Sequence, residues 1–379
     1  MKDISTKFGS FLWLKVYSRL TLSPENLIIN TYMSLIKILQ AKHGDSFIIH
    51  CQKGGDEGIV VVDGGPTMGR SKIRHALDEI GSIDLMILTH YDDDHIGGIV
   101  AYIKGHADDL HFPVKELWVN CARHIDFNIQ TDISFTQANN LATYLSEADK
   151  DGKLTWKEYV HNGYVACYPF ADITVISPTL ETQDINKVKY EAFIKEKGLL
   201  DCSAIIRGND DLKIPLEELA KRKKNVPSVN NPNELANMAS ISFILESDDL
   251  KLLMLGDSYP QMVAAYLQTL GYSKTNKLKV DYVKVSHHGS RNNTSNELLD
   301  LIECNKYIIS TNGGRGTSYH PDRETLANIL CHSGRDKNQT VHFYFNYPLS
   351  AIEERCSKLF NDREDSSYNF MLHPLTTIL

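Results

Sequence analysis

The chain has no CxxC pair: its seven cysteines, Cys51, Cys121, Cys167, Cys202, Cys304, Cys331 and Cys356, lie scattered along 379 residues. That pattern fits free thiols in a reducing compartment better than a disulfide framework, and it leaves cysteine out of the candidate metal ligands. An excess of positive charge is also missing. The formal net charge of -8 and a pI near 6.0 argue against a protein that grips nucleic acid over a wide basic surface, so that any such contact is expected to be local. No stretch approaches the ~20 apolar residues of a membrane helix. Near the start, Phe11-Leu12-Trp13-Leu14 is followed closely by Lys15 and Arg19 and by no small-residue cleavage site, which reads as neither signal peptide nor anchor. A cytoplasmic protein is the expectation. With 42% hydrophobic and 23% charged residues, the chain has the balance needed to bury one large core or two smaller ones.

The regular pattern begins at Ser34, so residues 1–32 are read as an N-terminal extension of unknown role and residues 33–379 as a single domain. Short apolar runs separated by glycine turns follow: Leu35 to Leu39, Phe47 to Cys51 and Gly58 to Val62, then a helix over 71–80, a buried strand from Asp84 to Leu88 and a helix from His95 to Gly105. A second set has strands at Ser240 to Leu245, Lys251 to Leu255, Leu278 to Ser286, Lys306 to Ser310 and Val341 to Phe345, with helices near 260–270, 294–303 and 321–333. Two β-rich halves, each flanked by helices, point to an α/β (α+β) fold: an αββα sandwich of two mixed β-sheets. Between them, residues 125–238 are more polar and read as a diverged insertion, with helical stretches at 135–148 and 187–197, an apolar strand at 173–176 and the basic run Lys221-Arg222-Lys223-Lys224, most simply a solvated helix end or linker.

Within one turn between strand and helix stand His90, Asp92, Asp94 and His95. Carboxylates and imidazoles at that density repel unless a cation neutralises them, so a metal is the economical explanation. An exposed acidic loop would account for the aspartates. It would not account for an apolar strand that delivers His90 into the cluster, with Gly97-Gly98 allowing close helix approach behind it.

The run His90-x-Asp92-x-Asp94-His95 followed by Ile96-Gly97-Gly98 resembles the HxHxDH signature of the metallo-β-lactamase superfamily, in the variant with Asp in place of the second His. That variant is similar to the nuclease-like domain of the ComEC competence proteins and their soluble relatives. Other pieces agree in order. His43-Gly44-Asp45-Ser46 resembles the GQGD turn, Val62-Asp63-Gly64-Gly65 the IDTG motif, Leu255-Gly256-Asp257 the LTGD segment and Ser286-His287-His288-Gly289-Ser290 the HHGS motif, while Thr311-Asn312-Gly313-Gly314 with His320-Pro321 resembles the closing glycine-rich strand end and HP pair. The likeness covers roughly Ser34 to Phe345.

It implies a bacterial metal-dependent hydrolase with two divalent ions, Zn or Mn, held by His90, Asp92, Asp94, His95, Asp257 and His287 or His288. Taken alone, Asp257 after Gly256 reads slightly better as a helix N-cap for the segment starting near Ser258. Strand alternation would point only one of His287 and His288 at the metal. By resemblance Asp63 orients a ligand histidine, and His320 lies over the site as a phosphate contact or proton donor. Asp92 is the candidate to hold a proton. Because Asp92 replaces a histidine ligand, and none of His106, His111, His124 and His161 sits in a recognisable motif, one metal position is expected to be oxygen-rich, which favours Mn or Mg there.

The implied substrate is a phosphodiester, possibly nucleic acid, with Ser290, Arg291 and Arg315 as phosphate contacts. Another ester class (phosphorylcholine ester, lactone or thioester) and a non-catalytic metal-binding scaffold in a multi-protein system are the alternatives. Separately, Glu147 to Glu158 places carboxylates at positions 1, 3, 5 and 12 and a glycine at 6 of a twelve-position loop, close to a calcium-binding EF-hand pattern, the bland reading being a polar turn after a helix.

Overall fold

Apolar strands joined by tight turns form the first layer: β1 (Leu35–Ile38), β2 (Phe47–Lys53) and β3 (Asp56–Val62) make an antiparallel meander. The structure is a computed structural model that describes residues 33–106, 109, 111–120, 145, 154–196, 210–315 and 319–378. After α1 (Arg70–Asp78) the chain adds β4 (Ile83–Leu88), then α2 (Asp93–His106), β5 (Val114–Val119) and β6 (Thr155–Lys157), each strand parallel to the one before. Strands buried on both faces read as continuous apolar runs, as Leu85 to Leu88 of β4 does.

The second layer starts with β7 (Val165–Tyr168) and β8 (Ala171–Ser177), followed by α3 (Leu180–Glu196), α4 (Leu216–Leu219) and α5 (Pro232–Met238). It continues with β9 (Ser242–Glu246), β10 (Lys251–Met254), α6 (Pro260–Thr269), a short β11 (Leu278–Lys279), β12 (Tyr282–Lys284), α7 (Asn296–Leu299), β13 (Ile302–Glu303) and β14 (Lys306–Ile309). It closes with α8 (Arg323–Cys331), β15 (Val341–Phe345), α9 (Leu349–Cys356), α10 (Asp362–Ser367) and β16 (Phe370–Pro374), after which β17 (Thr377–Ile378) returns to the first layer beside β1.

One sheet runs β17-β1-β2-β3-β4-β5-β6 and the other β16-β15-β14-β12-β10-β9-β8-β7, with β11 and β13 forming a separate pair. Both large sheets are mixed. The sheets face each other across Phe47, Val60, Leu85, Ile87 and Trp118 from one side and Val175, Phe243, Leu252 and Ile308 from the other. Outside the first sheet, Ile73, Leu77, Ile96 and Ile99 of α1 and α2 cover Met86 and Leu88. Outside the second, Val263, Leu326 and Ile352 of α6, α8 and α9 cover Leu253, Ile309 and Phe343. This three-layer core is the expected αββα sandwich of two sheets flanked by helices.

Several sequence expectations change. The strand read from Leu278 to Ser286 is two strands, β11 and β12, in different sheets, and the helix expected over 294–303 is the short α7 followed by β13. From the stretch read as an insertion, β6 and β7 are the edge strands of the two sheets and β8 lies inside the second, between β7 and β9. The basic run is no solvated linker throughout: the Lys224 side chain is 9% exposed and pairs with Glu324 of α8 at 2.7 Å. Residues 135–144, 146–148 and most of the calcium-like loop, 147–153, lie outside the described residues, while its tail forms β6. Cys51, Cys167, Cys304, Cys331 and Cys356 carry free thiols. Among the described residues, no helix is long and apolar enough to cross a membrane.

Candidate metal centre

The C-terminal ends of β3, β4, β10, β12 and β14 meet at one edge of the sandwich, the crevice where open α/β sheets place their ligands. After β4 the chain leaves the sheet at Thr89-His90, and the Asp92 backbone carbonyl starts α2 by accepting from the amides of His95 and Ile96 at 2.9 and 3.0 Å. Asp94 and His95 therefore lie in the first helical turn. This helix packs tightly on the preceding loop because Gly97 and Gly98 carry no side chain: a Cβ on Gly98 would stand 2.0 Å from the carbonyl oxygen of Gly64. The Gly44 turn presses on the same helix start, where a Cβ would stand 1.9 Å from the Asp94 carbonyl oxygen.

From the second sheet, the Gly256-Asp257 turn follows β10, and Ser286–Gly289 forms a kinked turn after β12. His287 (φ 49°) and His288 (φ 53°) both occupy left-handed backbone space, which costs on the order of 1 kcal/mol each. Strand alternation thus does not apply to this pair, and both rings turn to the site.

Asp257 is the hub. Its Oδ2 lies 3.4 Å from Nε2 of His95, 3.7 Å from that of His287 and 3.9 Å from those of His90 and His288. Asp94 Oδ2 is 3.1 Å from His288 Nε2, and Asp92 Oδ2 is 3.5 Å from His90 Nε2. Ligands at about 2.1 Å around a tetrahedral ion stand about 3.4 Å apart, the spacing found here. The Nε2 atoms of His90 and His95 are buried and make no hydrogen bond. Buried polar atoms are rarely left in that condition without a ligand to meet them, so this N/O donor set fits a divalent ion. Asp45, His95, Asp257 and His288 each offer an atom within 4.8 Å of the others.

The backs of the rings are held. His95 Nδ1 donates to Asp63 Oδ2 at 2.8 Å, and Asp63 also accepts from the Thr89 amide and hydroxyl, both at 2.8 Å. His288 Nδ1 donates to the Ser310 carbonyl at 2.9 Å. In each ring this leaves Nε2 facing inward.

Charge concentrates here. Burial works against a charged ring at His95 and His288, but Asp257, Asp63 and Asp94 around the first raise its pKa, and Asp45 and Asp257 around the second raise it to about 10. Burial would push Asp257 up, yet His95, His287 and His288 hold it well below the usual carboxylate range. Burial takes His287 the other way, down to about 4, despite the pull of Asp257. The carboxylates that raise these two rings are thus the same charge that a bound cation would offset.

Around this core, the His320 ring sits 5.4 Å from that of His287. Ser290 is buried beside the turn, its carbonyl accepting from Thr325. Arg291 is engaged by Asp322, with bonds at 2.8 and 3.2 Å, and Arg315 is exposed with its charge felt at His43. Of the other histidines considered, His106 pairs with Asp78 and Asp109, His161 bonds the Asn162 carbonyl, and His124 lies outside the described residues. Sequence reasoning missed Asp45 and Lys284 as parts of this site. A lysine inside the apolar run Tyr282-Val283-Lys284-Val285 was the available signal, since a cation there must have a buried partner.

Residues 41–165 match the family model described as Metallo-beta-lactamase superfamily. No curated protein matches the chain. Among solved structures, it is similar to Zn2+-bound PqqB from Methylobacterium extorquens, at 10% identity over 91% of this chain and 99% of that one with a TM-score of 0.42. It is also similar to the metallo-beta-lactamase fold protein YhfI from Bacillus subtilis, at 8% identity over 92% and 100% with a TM-score of 0.40. A likeness to CmlA beta-hydroxylase, at 12% identity and a TM-score of 0.35, covers 76% of this chain but only 46% of that protein, so the chain spans less than half its length. The stretch that matches this family model, residues 41–165, carries Asp45, Asp63, His90, Asp92, Asp94 and His95.

Proposed function

We propose that the chain is a hydrolase that depends on divalent metal and acts on a phosphodiester, possibly nucleic acid. The observation that carries this reading is the convergence of four imidazole Nε2 atoms on Asp257 Oδ2, with two of them buried and unbonded. His90, His95, His287, His288, Asp94 and Asp257 would hold the metal, Zn or Mn, and the chemistry it supplies is ionisation of water near neutral pH. Asp92, a third exposed, is the carboxylate placed to take a proton there. His320 stands beside His287 at the mouth, where it can protonate a leaving oxygen. Phosphate oxygens would meet Ser290 and Arg315, since the Gly313 and Gly314 amides donate to Thr311 Oγ1 and Asn312 Oδ1. The resemblance of the motif order to that of the ComEC-type proteins supports this substrate class.

Purified, metal-loaded protein is expected to cleave nucleic acid or a chromogenic phosphodiester, with an Asp94→Ala, His95→Ala variant as the blank. Turnover of neither would overturn the proposal. The engagement of Arg291 by Asp322 favours one second reading, because it leaves fewer cations for phosphate: a carboxylic ester or thioester. A higher rate on those model substrates than on phosphodiesters would decide for it.

A further inference from the structure

Lys284 ends β12 and is among the largest fully buried side chains. A buried ammonium needs partners on every hydrogen. Its Nζ donates to the Gly256 carbonyl at 2.9 Å, forms an ion pair with Asp45 Oδ2 and lies 3.8 Å from Asp257 Oδ1. Asp257 therefore divides its oxygens: Oδ2 faces the four imidazoles, and Oδ1 faces the lysine side.

Asp45 is equally committed. It is 1% exposed, its amide bonds the Asp94 carbonyl at 3.1 Å and its carbonyl accepts from Gly65 at 2.7 Å. Its side chain meets His288 at Nδ1, 3.3 Å away. That edge of the ring is turned away from Asp94 and Asp257, which meet Nε2. A single imidazole cannot present both nitrogens to one ion, so a carboxylate on the Nδ1 side stands behind the ring.

We propose, resting on the metal-centre reading above, that Lys284 is a positioning residue which fixes the Gly256-Asp257 turn from beneath, and that Asp45 is its counter-ion and a support for His288, not an ion ligand. The arrangement mirrors Asp63 behind His95. The difference is that Asp45 stands on the Nδ1 side of its ring, where a bound ion would not offset its charge and Lys284 does so instead.

The test uses full-length wild type, Asp45→Asn and the Asp45→Asn, Lys284→Met double variant. Zn2+ affinity is read by competition with a chromophoric chelator, and the visible absorption of Co2+-loaded protein reports the ligand set. Asp45→Asn leaves an uncompensated ammonium facing Asp257 and is expected to weaken Zn2+ binding about tenfold or more. The double variant removes both charges. It is expected to return Zn2+ affinity to within about threefold of wild type, with an unchanged Co2+ spectrum. A double variant as weak as Asp45→Asn, with a shifted Co2+ band, would make Asp45 a ligand and overturn the proposal. So would an Asp45→Asn chain that binds Zn2+ like wild type. If the single variant fails to fold, the double variant against wild type decides by the same criteria. A wild-type chain that binds neither ion sinks the metal-centre reading itself.

Discussion

Asp63 Oδ2 accepts the Nδ1 hydrogen of His95 at 2.8 Å, and the same carboxylate receives both the amide and the hydroxyl of Thr89. One side chain thus fixes the tautomer of a histidine and the exit of β4. Asp63→Ala is expected to weaken Zn2+ or Mn2+ binding by about 10–100-fold, because His95 loses the partner that keeps Nε2 turned inward. Equilibrium dialysis with elemental analysis checks this, and retention of full metal content at limiting ion would refute it.

Gly98 lets α2 lie on the Gly64 carbonyl. Gly98→Ala is expected to cost about 1–3 kcal/mol, since two backbones and not a flexible side chain must separate. A urea titration with an unchanged midpoint would show that the helix can shift freely.

Arg323, at the start of α8, donates to Glu364 of α10 at 2.7 and 2.9 Å, with both side chains buried. Glu364→Gln leaves the guanidinium without its anion and is expected to lower stability by about 3–5 kcal/mol. Adding Arg323→Met to that variant should recover much of the loss, and a second substitution that merely adds a further loss would contradict the pairing.

His106 is held between Asp78 and Asp109. Burial lowers its pKa somewhat, but the bonds to Asp109 and Asp78 leave it raised. A raised folded pKa gives stability that is full below the unfolded value of 6.5 and is lost as pH climbs through the folded one. The gap in Tm between wild type and His106→Gln should therefore be wider at about pH 6 than at about pH 9. A gap that widens with rising pH would reverse the assignment.

Much of this was legible because the decisive information is local. His90, Asp92, Asp94 and His95 fall on one strand-to-helix corner, and the apolar runs of β2, β3 and β4 declare a sheet directly. The orientation of His287 and His288 was not legible, because the two residues leave the strand through left-handed backbone where period-two reasoning fails. Asp45 and Lys284 meet only after both sheets have formed, and nothing near either residue in sequence names the other. The edge strand β7 was hidden in a polar stretch, since its outer positions face solvent and read like loop, whereas the apolar run of β8 beside it was legible.

The seam between the sheets passes through the site: the Ile241 amide bonds the Thr89 carbonyl at 2.8 Å, and the Ser310 hydroxyl bonds the Gly44 carbonyl at 3.1 Å. His90 and His95 arrive with one layer, Asp257 and His288 with the other. A cation gripped from both banks would act as a clasp, so slight parting of the layers would cost the clasp its hold before either layer melts. Loss of the ion would then be the first step of unfolding and its return the last step of assembly.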